Sequence, residues 1–253
     1  MWGIIPAAGN GTRIQPLAFS KELLPVGSRH DGTTERPKAV SEYLVERFML
    51  AGVRKICFVI GPGKLDIVQY YGAGIGNADI AFVVQTQAAG LCDAIFRASP
   101  LIGADEPVAV GLPDTIWFPE RALLELPPDR LSFLLFPVAH PELFDSVTLE
   151  DSGRITRIDV KSAQSRSNWI WGAFQMPGPV FHELHRFWSA RNGRDEYFGT
   201  LVNAWIGQGG EAIGVRAGSA YVDVGTLHGY REAMQLLSVP DALAQRRALA
   251  NTC

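Results

Sequence analysis

Cysteine is scarce in this chain, and what there is lies scattered. Cys57, Cys92 and Cys253 are the three in 253 residues, without C-x-x-C spacing, which gives no zinc site and suits a reducing cytosol. Cys57 and Cys92 sit in apolar runs, as small core residues do. Positive charge is not in excess. The 23 Lys and Arg against 26 Asp and Glu leave a net charge of -3, which argues against a nucleic-acid surface. No apolar run is long enough to span a membrane. Met1-Trp2-Gly3 leads straight into strand-type residues with no signal peptide, so the expected setting is cytoplasmic. Histidines 30, 140, 182, 185 and 228 form no metal motif, since His182 and His185 lack an acidic partner, and no Ser-His-Asp or Cys-His set stands out.

What is present is a chain long enough for one large α/β domain, with a distinctive start. Gly3-Ile4-Ile5-Pro6 reads as a strand. Ala7, Ala8, Gly9 and Gly11 then remove every bulky side chain from the turn, and Thr12, Arg13 and, after a gap, Lys21 add a hydroxyl and two cations. Backbone N–H groups in such a turn reach phosphate oxygens, because small residues permit close approach. Arginine grips phosphate bidentately and lysine acts as a mobile point charge. This predicts a nucleoside-triphosphate loop, and two better-known glycine loops are excluded. A dinucleotide fingerprint counted from Gly9 would need glycine where Ile14 stands, and a Walker A loop needs a Gly-Lys-Ser/Thr that is missing.

Beyond the loop, short apolar runs alternate with amphipathic stretches. Strands are expected at 55–60, 79–85, 107–112 and 131–138. Helices are expected through Val40, Tyr43, Leu44 and Phe48, and at 64–72, 90–99 and 119–125. This rhythm implies a three-layer α/β fold with a mostly parallel, Rossmann-like sheet. Past 140, strands at 146–149 and 154–160 follow without helices and predict a small antiparallel flap. Strand 169–175, helices 178–190 and 195–207, strands 211–216 and 220–223, and a helical stripe through Leu227, Tyr230, Met234 and Leu237 complete the reading. Residues 241–250 are expected to form a final exposed helix.

Gly9-Asn10-Gly11-Thr12-Arg13, Pro16-Leu17 and Ser20-Lys21-Glu22-Leu23-Leu24-Pro25-Val26, in this register, resemble the signature of the sugar-1-phosphate nucleotidylyltransferases, the pyrophosphorylases that make nucleotide sugars. Residues 28–36, ended by Pro37, read as a polar insertion against that family. The resemblance implies a single domain with a nucleotide half (1–139), a sugar and metal half (140–226) and a C-terminal helical segment (227–253). It implies roles for the loop residues Ala7, Ala8, Gly9, Gly11 and Thr12, and base recognition by Gln85 and Gly90. Arg13, Lys21 and Asp114 become the candidate catalytic residues. Asp114, in Gly111-Leu112-Pro113-Asp114, and Asp223, in a D-x-G-T segment, become Mg2+ ligands. By residue type alone Asp114 also suits a helix N-cap. Lys161 takes the place of a lysine that contacts the sugar phosphate, with Asp145 and Gly172 nearby.

The departures from the family cluster on the sugar side. Its glutamate before the lysine is Val160 here, and its proline after the lysine is Ser162. Its Tyr-Gly pair is Phe144-Asp145, and the threonine before its later glycine is Trp171. Its E-I-T-D-x-N segment reads Phe198-Gly199-Thr200-Leu201-Val202-Asn203, with Glu196 close by. Phosphate and metal groups are kept while groups for sugar hydroxyls change, which points away from plain glucose 1-phosphate as the acceptor. The implied partners are an NTP, either dTTP or UTP because uracil and thymine share a pairing edge, and a sugar 1-phosphate. Neither nucleic acid nor membrane is implied, and a homo-oligomer is compatible with the chain. Two other readings fit parts of the sequence: a nucleotide- or sugar-binding regulatory homologue with weak turnover, and cytidylyl transfer to a small alcohol phosphate. The Asp223-Val224-Gly225-Thr226 segment speaks against the second.

Overall fold

The computed structural model describes residues 1–30 and 32–238. In chain order the strands and helices are β1 (Trp2–Ala7), β2 (Pro25–His30), β3 (Glu35–Ala39), α1 (Val40–Leu50), β4 (Lys55–Ile60), α2 (Leu65–Tyr71), β5 (Asp79–Val84), α3 (Gly90–Arg97), β6 (Val108–Gly111), β7 (Thr115–Phe118), β8 (Leu131–Pro137), β9 (Asp145–Leu149), β10 (Ile155–Val160), β11 (Trp169–Met176), α4 (Gly178–Ala190), α5 (Phe198–Ile206), β12 (Ala212–Val215), β13 (Ala220–Asp223) and α6 (Leu227–Ser238). The final helix expected over 241–250 lies outside the described residues.

The central sheet runs β10-β9-β11-β6-β1-β4-β5, with β8 also on β11 and β12 on β8. β1 lies between β4 and β6, and both pairings are parallel, as is β4 with β5. Adjacent residues of β1 are buried on opposite faces. Ile4 packs with Cys57, Val59 and Val110 on one side, and Ile5 packs with Ile56 and Phe58 on the other. Strands covered by helices on both faces need no polar alternation, which explains the continuous apolar runs. β11 is the turning point, antiparallel to β6, β8 and β9. The expected flap is the antiparallel pair β9–β10, joined to the sheet through Ile170 and Ser146.

Two expectations are corrected. The helix expected at 119–125 is only a single 3-10 turn at Ala122–Glu125. The residues before it form β7, which pairs with β13, Thr115 opposite Asp223. Pro119 and the Pro127-Pro128 pair confine any helix here to a short segment, and β7 depends on a partner far along the chain. The polar stretch at 28–36, read as an insertion with no strand expected in it, contributes to β2 and β3, with Ser28 opposite Pro37 and His30 opposite Glu35. Ser28, Arg29, His30, Glu35 and Arg36 are all exposed, so no apolar alternation advertised the strands.

A third apolar cluster decides where the site forms. Leu24 and Val26 from the end of the N-terminal loop pack with Ile116 of β7, Val222 of β13 and Leu236 of α6. The loop and the β13 carboxyl end are thereby held against the carboxyl end of β6, where open α/β sheets bind ligands.

Candidate active site

The glycine-rich turn leaves β1 at Ala7, whose side chain is buried, and reaches the surface at Gly9 and Asn10. Gly11 has φ +64, and a Cβ there would lie 2.8 Å from Lys21 Cδ. The turn needs glycine for its backbone and for the lysine stem that crosses it. Lys21 Nζ then reaches Asp114 Oδ2 at 2.5 Å, and Arg13 Nη1 reaches Asp223 Oδ2 at 3.0 Å.

Asp114 and Asp223 meet because the Val224 amide donates to the Asp114 carbonyl at 2.8 Å, closing the gap between the ends of β6 and β13. Gly225 occupies the junction. A Cβ there would stand 2.8 Å from Asp114 Oδ2, 2.8 Å from Asp223 Oδ1 and 3.2 Å from Arg13 Nη2. Both carboxylates and the guanidinium thus surround one point, and only a residue without a side chain leaves it open. The Gly225 amide donates to Asp223 Oδ1 at 2.8 Å, which fixes that carboxylate further.

Gln85 follows β5 on the facing wall and is 5% exposed. Its Nε2 donates to the Gly90 carbonyl at 3.1 Å and to Asp93 Oδ2 at 2.6 Å. Both partners are acceptors, so the amide orientation is forced and Oε1 is the atom left to accept. Gly90, at φ +90, passes so close to Glu196 that a Cβ would lie 2.3 Å from Glu196 Cγ.

At the other end of the cleft, Lys161 leaves β10 with φ 43, a left-handed conformation that costs a non-glycine residue about 1–2 kcal/mol. Its amide donates to the Phe144 carbonyl at 3.0 Å and its Nζ stands 4.9 Å from the centre of the Tyr197 ring. Asp145 begins β9, half-buried, with Trp171 of β11 behind it. Burial raises the Asp145 pKa, opposed by the Lys161 charge and by the Trp171 indole N–H that faces it. That N–H is itself buried and completes no hydrogen bond.

The four charged side chains Arg13, Lys21, Asp114 and Asp223 share with Gln85, Asp145 and Lys161 one cleft of about 410 Å3. Of the residues expected from the sequence, Ala8, Gly9, Arg13, Lys21, Gln85 and Gly90 line it, and so do Asp114, Asp145, Lys161 and Asp223. Ala7, Gly11, Thr12 and Gly172 are not on its wall. Gly172 lies behind it, where a Cβ would meet the Phe136 and Tyr221 rings at 2.6 and 2.7 Å, so its role in the fold is to admit those rings. Sequence reasoning missed Gly225, Tyr197 and Tyr221. Gly225 sits inside a segment that was legible as a motif; the two tyrosines carry no local signal, because only the fold brings them to the cleft.

The profile of the family described as Nucleotidyl transferase matches residues 2–238. The chain belongs to the nucleotidyl transferase family. A glucose-1-phosphate thymidylyltransferase of Mycobacterium tuberculosis is 29% identical over 274 residues, covering 97% of this chain and 89% of that protein. A UTP–glucose-1-phosphate uridylyltransferase of Staphylococcus saprophyticus is 34% identical over 137 residues, 45% of this chain and 44% of that protein. Among solved structures, a Bacillus anthracis protein assigned as a glucose-1-phosphate thymidylyltransferase, in complex with sucrose, superposes with TM-score 0.78. It is 23% identical and covers 93% of this chain and 94% of that one, a likeness of fold. Among the described residues of this nucleotidyl transferase, no helix is long and apolar enough to cross a membrane.

Electrostatics set Asp114 apart from an ordinary surface carboxylate. Burial opposes ionisation of Asp114, but the Lys21 ammonium and its hydrogen bond outweigh it and hold the carboxyl below its usual range. Burial likewise opposes the Lys21 charge, and Asp114 carries the ammonium above its usual range. Tyr221, raised well above the ordinary phenol by burial and then by Asp223 and Asp114, stays protonated. The acid pair around Gly225 fits Mg2+, which takes one or two protein carboxylates and completes its shell with substrate oxygens and water. Among the described residues no group of three or more His, Cys, Asp or Glu converges, so this donor set fits a shared metal rather than an all-protein cage.

Proposed function

We propose that this nucleotidyl transferase moves a nucleotidyl group from dTTP or UTP to a sugar 1-phosphate, giving a nucleotide sugar and pyrophosphate, with Mg2+ as cofactor. The observation that carries the reading is the junction at Gly225, where two acids and a guanidinium face one open point, with Lys21 held on Asp114. Such an array neutralises charge on a triphosphate without reorganising during reaction. The nucleotide is assigned to the 1–139 half and the acceptor to the 140–226 half.

In this reading a phosphate oxygen of the acceptor attacks the α-phosphorus in line, and pyrophosphate leaves. Alignment and charge neutralisation do the catalysis, and no covalent intermediate is needed. Ala8, Gly9 and the turn around Gly11 and Thr12 shape the approach to the phosphates. Arg13 and Lys21 stabilise the triphosphate and the charge that develops on the leaving group. Asp114 and Asp223 would hold Mg2+, which when bound supplies Lewis-acid polarisation of the phosphate oxygens. Lys161 pins the acceptor phosphate. The free acceptor atom of Gln85 supports a base with an imide N–H, thymine or uracil, and disfavours cytosine, whose equivalent nitrogen is itself an acceptor. The names of the Mycobacterium tuberculosis and Staphylococcus saprophyticus relatives support the same two bases. The buried, unpaired thiols of Cys57 and Cys92 support a reducing, cytoplasmic setting.

The test is pyrophosphate release from a matrix of dTTP, UTP, CTP, ATP and GTP against a panel of sugar 1-phosphates, with Mg2+ present and then chelated. Release confined to dTTP or UTP, and lost on chelation, is the expected result. Preference for CTP, or no release from any pair, contradicts the reading.

A further inference from the structure

This inference rests on the reading that Lys161 receives the acceptor phosphate, and it concerns the sugar that phosphate carries. Asp145 and Val160 are ladder partners across β9 and β10. Opposed residues of an antiparallel pair project from the same face of the sheet, with neighbouring side chains. The two positions have divided their tasks. Val160 is turned onto α5, where a Cβ at Gly199 would lie 2.9 Å from Val160 Cγ2. Asp145 is the partner that opens onto the cleft. Position 160 is where the resembled family has a glutamate and position 145 where it has a glycine. In this chain the acid at this end of the cleft is on β9 rather than β10.

The surroundings of Asp145 leave its carboxylate with work to do. It lines the cleft beside Lys161, with the buried Trp171 indole N–H on its inner side. Trp171 is 5% exposed and closed in by Phe133 and Phe174, so the wall behind the carboxylate cannot yield. A carboxylate offers about four acceptor sites, more than the Trp171 and Lys161 groups beside it fill, so it can accept from a donor on the ligand.

We propose that Asp145 is the specificity-determining residue for the acceptor: its carboxylate accepts a hydrogen bond from a ring hydroxyl of the sugar whose 1-phosphate rests on Lys161. The substrate class is then an aldose 1-phosphate that keeps its hydroxyl near the anomeric phosphate, and 2-deoxy analogues are poor acceptors. Trp171 acts through Asp145 as a positioning residue.

The experiment measures KM for acceptor and for nucleotide separately, on the wild type, Asp145→Asn and Trp171→Phe, using the best aldose 1-phosphate of the panel and its 2-deoxy analogue. Asp145→Asn keeps the shape and removes the charged acceptor. It is expected to raise the acceptor KM by about 10- to 100-fold, as loss of a hydrogen bond to a charged group does, with nucleotide KM unchanged and discrimination against the 2-deoxy analogue erased. Trp171→Phe is expected to do the same more weakly. If Asp145→Asn leaves acceptor KM and the deoxy discrimination as they were, or raises both KM values together, the assignment is overturned. Failure of the underlying functional reading is told apart by the wild type, which would then release no pyrophosphate with any pair, and the inference falls with it.

Discussion

At one end of the cleft Asp114 and Asp223 each hold a cation, Lys21 and Arg13; at the other, Asp145 lines the wall beside Lys161 and Trp171. The first end is built from residues that keep their register with a widely shared signature, and its charges are satisfied before any ligand arrives. The second is built from residues that depart from that signature: Asp145, Val160 and Trp171. In the proposed reading, the difference places selectivity at the second end. Charge neutralisation of a triphosphate is common to every substrate pair, so it can be prearranged. Recognition of one sugar depends on donors and acceptors left open for it.

The comparison is broken most severely by cutting the Lys21–Asp114 pair. Asp114→Asn or Lys21→Ala is expected to lower pyrophosphate release by about 1,000-fold, the scale of losing a preorganised electrostatic contact. Lys21→Ala also strands a buried carboxylate and is expected to lower stability by about 3 kcal/mol. Pairing Lys21→Met with Asp114→Asn should restore the melting temperature without restoring activity, and thermal melts beside the kinetic assay separate the two effects. Gly225→Ala should come next. Its Cβ would press on both carboxylates, so about a 100-fold loss with a raised Mg2+ requirement is expected in a metal titration. Arg13 is more exposed, with a side chain 59% accessible. Arg13→Lys should cost roughly tenfold in activity and almost nothing in stability.

Substitutions at the other end should sharpen the contrast. Tyr197→Leu removes the ring beneath Lys161 and is expected to raise acceptor KM a few-fold, about the worth of an exposed cation–π contact, while nucleotide KM holds. The smallest effect is on stability against pH. Asp114 lies below its ordinary 3.8 in the folded protein. Its contribution is present above that value and lost as pH falls through the lowered one. Melting temperatures taken from pH 5 down to pH 3 should therefore fall less steeply in Asp114→Asn than in the wild type. Lys21 has the opposite sign, raised above 10.5, so its contribution is complete below that pH and is lost only in stronger alkali.

That Arg13, Lys21, Asp114 and Asp223 come together could be read in the sequence, because they lie in two compact runs and at two strand ends. Spacing within a run survives without knowledge of the fold. The acceptor end could not be read in the same way. That Val160 faces Asp145 is a matter of strand register, and that Tyr197 underlies Lys161 depends on how α5 meets β10. β7 was missed because four buried residues show no period, and Gly172 was assigned to the sugar side although packing of Phe136 and Tyr221 accounts for it. The parallel strands were legible from their apolar runs, whereas the β2–β3 pairing, exposed over most of its length, was not.

The most direct test of the central claim is a crystal structure with UTP or dTTP and Mg2+ bound. The account predicts phosphates between Arg13 and Lys21, the metal beside Gly225 on Asp114 and Asp223, and the imide N–H of the base on Gln85. Phosphates held elsewhere, or a base turned away from Gln85, would contradict it.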